Sequence, residues 1–155
     1  MELEAEMEIT KVAVKAKLVD AQVVRKMTVT LKREFDIFLA RAIGGDAKEL
    51  LDALSSGGAE KVQIPIDTVI ASLNLHVGGS GVTGTAKEDK VSIGRCFGKK
   101  AVATEAKTED TKPSIALDFE FLFDERAWAW FGRNVGGFAT VDIKPSQLTL
   151  AKKAS

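Results

Sequence analysis

Alternation of apolar and polar side chains dominates this chain and commits most of it to half-buried β-strands. Successive side chains of a strand point to opposite faces, so a period of two sends one set into a core and the other into water. Val12, Val14, Ala16 and Leu18 share one face of a first strand, and Lys11, Lys15 and Lys17 share the other. Met7 and Ile9 are out of phase with that set, which predicts a bulge or break near Thr10. Asp20-Ala21-Gln22 reads as a turn, and Met27, Val29 and Leu31 continue in a second strand ending near Phe35. Val62, Ile64 and Ile66 begin the next, with Pro65 placing it at an edge or ending it. Val69 to Val77 alternates cleanly, and Val91–Phe97 with Ala101–Glu105 predicts a hairpin turning at Gly98-Lys99-Lys100. Ile115, Leu117, Phe119, Phe121 and Phe123 form the strongest strand, and Ala139, Val141 and Ile143 a closing one.

Helix signals interrupt this pattern twice. Asp36 is a candidate N-cap with Gly44-Gly45 as a stop, and Asp46 with Glu49 resembles a capping box for a further piece carrying Leu50, Leu51 and Leu54. Asp124 caps a second segment running to about Val135, stopped at Gly136-Gly137. Because most strands follow one another through short turns, the expected fold is α+β, mainly antiparallel sheet, with two helical segments on one face. Phe35-Asp36 with Gly44-Gly45, and Phe123-Asp124 with Gly136-Gly137, allow a pseudo-repeat of a strand-helix-strand unit; common capping chemistry explains them equally well. The length suits a single domain, 1–155, with the acidic segment 1–8 and the tail 151–155 frayed.

The totals exclude several classes. Lys+Arg and Asp+Glu both number 22, and zero net charge argues against a dedicated duplex-DNA binder. Cys96 stands alone, so neither an internal disulfide nor a cysteine-built zinc site is expected, which fits a reducing compartment. The first eight residues are acidic where a secretory signal would be basic. The run Ala127 to Phe131 falls far short of the roughly twenty apolar residues that span a bilayer. A cytoplasmic location without membrane attachment is the expectation.

Catalytic motifs fail on inspection. Gly79-Ser80-Gly81-Val82-Thr83-Gly84 satisfies G-x-G-x-x-G, but no helix follows to meet a pyrophosphate, and Thr85 stands where a phosphate loop needs lysine. His76 falls on the polar side of its strand, and no metal-ligand spacing surrounds it or Cys96. Asp118 and Glu120 share a strand face and are expected to meet lysines on the neighbouring strand. With no nucleophile or acid–base constellation, neither an enzyme nor a cofactor or metal site is expected.

Two surfaces remain. Trp130, placed beside Arg126 and Arg133 off the apolar helix face, and Phe38 on the first helix are candidates for a protein interface, a homo-oligomer contact included. Lys15, Lys17, Arg25, Lys26 and Arg95, with the loop glycines Gly79, Gly81 and Gly84, are candidates for an anionic ligand: single-stranded nucleic acid or a nucleotide second messenger. The chain has no tyrosine, and most phenylalanines alternate inward, so few aromatics are left for stacking.

The stretch Phe121-Leu122-Phe123-Asp124-Glu125-Arg126-Ala127-Trp128-Ala129-Trp130-Phe131-Gly132-Arg133, followed by Gln147-Leu148-Thr149-Leu150, resembles small accessory proteins of bacteriophage genomes over the last third of the chain. The resemblance carries no catalytic residues. It implies a host-cell setting and a partner among host proteins, phage proteins or signalling nucleotides.

Overall fold

The computed structural model describes residues 3–44, 47–55, 61–77, 89–105 and 112–145. In chain order the elements are β1 (Leu3–Val19), β2 (Gln22–Glu34), α1 (Ile37–Ile43), α2 (Ala47–Ser55), β3 (Lys61–Val77), β4 (Asp89–Ile93), β5 (Cys96–Thr104), β6 (Ser114–Leu122), α3 (Glu125–Asn134) and β7 (Phe138–Pro145). All strand pairings are antiparallel. The fold is α+β with a mainly antiparallel sheet, as the alternation requires.

The sheet closes on itself. The strand order β4-β3-β5-β6-β2-β1-β7 has an additional β3–β7 pairing that joins its ends. β4 and β5 lie end to end along one edge of β3, with Leu73 opposite Ile93 and Ile70 opposite Cys96. The bend between them is at Gly94-Arg95. A closed ring has one inner face, and the alternating apolar set fills it: Met7 and Ile9, Met27, Val29 and Leu31, Leu73 and Leu75, Ala101 and Ala103, Ile115, Leu117 and Phe119, and Val141 and Ile143 are all buried. The helices pack on that same inner face, contributing Leu39, Ala40, Ala47, Leu54, Ala127, Trp130 and Phe131 to one continuous core. α1 and α2 join β2 to β3 at one end of the barrel, and α3 joins β6 to β7 at the other. Charged and hydroxyl side chains such as Glu120, Asp118 and Thr30 occupy the outward phase, the reverse of a membrane barrel. Among the described residues no helix is long and apolar enough to cross a membrane.

Local chemistry sets the boundaries. The Asp36 carboxylate accepts from the Leu39 N–H at 2.9 Å and that of Asp124 from the Arg126 N–H at 2.8 Å, so both aspartates cap as their positions predict. Gly44 and Gly136 take φ of 80° and 90° at the helix ends, a region that favours glycine. The register of β1 against β2 shifts between Ile9 and Lys11, so the bulge lies at Thr10. Asp46, the candidate capping residue of α2, lies outside the described residues.

The first helical segment breaks after α1 at Gly44, as its stop signal predicts, so three helices stand among the described residues. Two expectations change. Gly98-Lys99-Lys100 is not a hairpin turn: β5 runs through it, with a register shift against β6 between Gly98 and Lys100, because the inserted Lys99 is absorbed as a bulge. β3 does not end at Pro65; it continues to Val77 with a register shift between Pro65 and Thr68. Pro65 has a paired strand on one side only among the described residues, which accommodates its missing N–H. A pseudo-repeat is not shown, since one connection carries two helices and the other carries one.

Candidate binding surfaces

β1 and β2 outrun the barrel. β1 pairs with β7 only as far as Glu8, and β2 pairs with β6 only from Lys26 onward. From Lys11 opposite Thr30 to Lys15 opposite Lys26 only β2 keeps an outer neighbour, β6, and from Ala16 opposite Arg25 to Val19 opposite Gln22 the two strands have only each other. The result is a two-stranded arm that turns at Asp20 and Ala21, both at positive φ (48° and 63°). The apolar phase of the core continues along it: Val12 pairs with Val29, Val14 with Met27, and Leu18 with Val23. In the barrel that phase is buried. On the arm Leu18 is 74% and Val23 67% exposed.

The arm is rooted on the α3 end of the barrel. The Phe123 N–H donates to the Arg25 carbonyl at 3.0 Å, and the Arg25 guanidinium lies over the Phe123 ring, 5.8 Å from its centroid. Trp128 packs on the other aromatic side, 6.4 Å between ring centroids. Leu122, Trp128, Val135 and Phe138 are each exposed on the elements of this end, here called its apolar shoulder.

The predicted interface residues are placed unevenly. Trp130 is not a surface platform: it is 2% exposed, edge-on to Phe131 at 5.1 Å, while Trp128 is 42% exposed. The buried face of α3 is Ala127, Trp130 and Phe131, an i, i+3, i+4 set, so Trp130 lies on the apolar face rather than off it. Arg133 is drawn away to Asp89 of β4, 3.2 Å, where Asn134 also donates. Arg126 is exposed at the start of the same helix. Phe38 is exposed on α1 as expected, with the Arg33 guanidinium 5.9 Å from its ring centroid and Arg33 also paired to the Asp36 cap at 2.8 Å. It lies at the opposite end of the barrel from Trp128.

The anionic-ligand candidates separate as well. Lys15 and Lys26 are cross-strand partners on the outward face of the arm, with Lys17 on the same line and Arg25 on the opposite face. Lys26 and Arg95 line one cleft of about 520 Å³ at the arm's root, with Phe97, Glu120, Leu122 and Asp124. Glu120 on its wall pairs with both Lys26 and Lys99, at 3.5 and 3.2 Å. Burial alone would raise the Glu120 pKa, but the hydrogen bond and charge of Lys99, joined by those of Lys26, outweigh it and hold the carboxyl below its ordinary value. Gly79, Gly81 and Gly84 lie outside the described residues.

The reactive side chains do not converge. Cys96 is in the core, and burial pushes its thiol up to about 12. His76 is on the outward side of β3, opposite in phase to the buried Leu75. It lines a second depression of about 490 Å³ with Glu4, Asn74, Lys90, Ser92 and Asp142. The Ser92 hydroxyl there donates to Asn74 Oδ1 rather than to an imidazole. Asp118 accepts from the Thr30 hydroxyl at 2.7 Å, and Glu120 faces lysines as its strand position predicts. Among the described residues no group of three or more His, Cys, Asp or Glu side chains is arranged to hold a metal ion.

Comparison with known proteins found no matching family model, curated protein or solved structure.

Proposed function

We propose that this chain is a non-enzymatic interaction protein that works as a homo-oligomer and grips a protein partner through the arm and its apolar shoulder. One observation carries the reading: the hydrophobic phase of the core continues, past the Ala16–Arg25 pair, onto a ribbon where Leu18 and Val23 are 74% and 67% exposed. A two-stranded hairpin is marginally stable alone, and exposed apolar clusters mark contact surfaces. The resemblance to phage accessory proteins fits such a role, with a host or phage protein as partner in the host cytoplasm.

The test has two parts. Size-exclusion chromatography with light scattering is expected to give a mass above the 16.6 kDa of one chain, rising with concentration. Affinity capture from the host with the wild type and with a Leu18→Asp/Val23→Asp variant is expected to return a partner only for the wild type. A chain monomeric at every concentration, with identical capture by both proteins, overturns the proposal.

A second reading, binding of an anionic ligand, is supported by the cleft that brings Lys26 and Arg95 together. It is the weaker one, because Lys26 is engaged by Glu120. Fluorescence anisotropy with a labelled single-stranded oligonucleotide at two salt concentrations tests it; absence of binding, or binding without a salt slope, removes it.

A further inference from the structure

The outward face of β1 reverses its charge at the bulge. Glu8 pairs with Lys32 and Lys11 with Thr30, two positions apart on β2, so Glu8 and Lys11 project from the same face with Thr10 inserted between them. Counting by twos in each direction, Glu4, Glu6 and Glu8 stand on one half of that line, and Lys11, Ala13, Lys15 and Lys17 on the other. Without the extra residue the lysines would fall in the phase of Met7 and Ile9. Glu4, Glu6, Lys11, Lys15 and Lys17 are exposed, and among the described residues none of them makes an ion pair.

The flanking strands complete the pattern. Asp142 lies across from Glu4 and adds to the acidic half, although Lys144 is 3.9 Å from it. Lys26 lies across from Lys15, its charge shared with Glu120, and Lys32 lies across from Glu8. Phe138, across from Glu8 on the same outward face, is 59% exposed and stands near the midpoint of the line.

The ends of this line, two acids at one and two bases at the other, are complementary when the line is reversed. We propose that this face of β1 is the contact between two copies of the chain, related by a two-fold axis that passes at Lys11, the middle of the seven outward positions, where the two Lys11 side chains diverge into solvent rather than pair. Glu4 then faces Lys17 of the second copy and Glu6 faces Lys15, each contact made twice as an isologous interface demands. Phe138, level with Glu8, comes to the level of Ala13 of the second copy, where β7 no longer flanks β1 and its ring has room. At ~3.3 Å per residue and ~4.8 Å per strand, the line with β2 on one side and β7 beside its acidic half covers about 500 Å² per copy, below the ~800 Å² of a standard interface and in the range of a weak, concentration-dependent dimer. Exposed ion pairs contribute little affinity singly, so their role is register and orientation, with apolar contact at Phe138 in the middle. The inference rests on the homo-oligomer reading above and leaves the apolar face of each arm on the other side, open to a partner.

Charge reversal tests it. Glu4→Lys/Glu6→Lys makes both ends of the line basic, and Lys15→Glu/Lys17→Glu makes both ends acidic. By light scattering at about 100 µM, each variant alone is expected to be monomeric, its self-association weakened at least about tenfold, and an equimolar mixture to restore a mixed dimer. Circular dichroism of both variants establishes that they are folded. A variant that dimerises like the wild type, or a mixture that stays monomeric, overturns this interface while leaving the oligomer reading intact. A monomeric wild type removes both. A monomeric wild type that binds a labelled oligonucleotide, with binding lost in Lys15→Glu/Lys17→Glu, assigns the lysines to single-stranded nucleic acid instead.

Discussion

Arg25 and Phe123 hold the arm to the barrel twice over, by a backbone hydrogen bond of 3.0 Å and by a guanidinium 5.8 Å from the ring centroid. The ring also packs on Trp128. Replacing Phe123 by alanine keeps the backbone bond and removes both ring contacts. We expect a loss of about 1–2 kcal/mol in urea unfolding, since cation–π and aromatic pairs are each worth about 0.5–1.5 kcal/mol. Amide hydrogen exchange should accelerate in residues 11–25 well before the barrel strands. Uniform acceleration across the barrel would show that the ring serves the core rather than the arm.

The two tryptophans should behave oppositely. Trp130→Ala empties a fully packed core position and is expected to cost about 3–5 kcal/mol. Trp130 Nε1 has no hydrogen-bond partner among the described residues, so Trp130→Phe forfeits no bond and should cost much less, about 1–2 kcal/mol. Trp128→Ala, at an exposed site, should cost under about 1 kcal/mol. Iodide quenching provides a second check: fluorescence that remains after Trp130→Phe should be accessible to quencher, and fluorescence after Trp128→Phe should be shielded.

That contrast marks the boundary of what was legible in the residues. Strand phase was legible because a period of two leaves little freedom: the bulge at Thr10, the caps Asp36 and Asp124, and the inward set from Ile115 to Phe121 all follow from local pattern. The face of a ten-residue helix was not, because Ala127, Trp128, Trp130, Phe131 and the C-cap Val135 spread over an arc of about 160° at about 100° per residue, and only packing on the barrel chooses which part of it is buried. Barrel closure was illegible for another reason. The β3–β7 pairing joins residues about seventy positions apart, and no local signal encodes which distant edge a strand will meet. The arm falls between the two. Its alternation is plain in the sequence, but its exposure depends on where β6 and β7 stop.

The turn at the arm's tip carries strain that one substitution should relieve. Asp20 and Ala21 both sit at positive φ, and an L side chain other than glycine, asparagine or aspartate is disfavoured there. Aspartate at the first position tolerates this; alanine at the second, with φ 63°, does not. Ala21→Gly produces the Asp-Gly pair preferred by such hairpins, and we expect it to stabilise the arm by about 1 kcal/mol. The gain should appear as slower exchange of arm amides with little change in global unfolding. Faster exchange would mean that glycine's added freedom in the unfolded arm outweighs the relief.

Glu120 sets an acid limit on the arm's root. Burial raises its pKa, and Lys99 and Lys26 together more than reverse that, so the folded value lies below the ordinary 4.5. A carboxyl with a depressed folded pKa contributes its full stability above the unfolded value and loses it as pH falls through the folded one. Its contribution is therefore present at neutral pH and disappears on acidification below about 4.5. Both lysines are substantially exposed, so the effect is modest. Glu120→Gln should melt about 2 °C below the wild type at pH 7. The gap should narrow as pH falls below about 4.5 and through the depressed folded pKa, because the wild-type carboxyl is then progressively neutralised too. Thermal denaturation of both proteins across that range decides it: a gap that stays constant with pH would mean that Glu120 acts through packing and not through its charge.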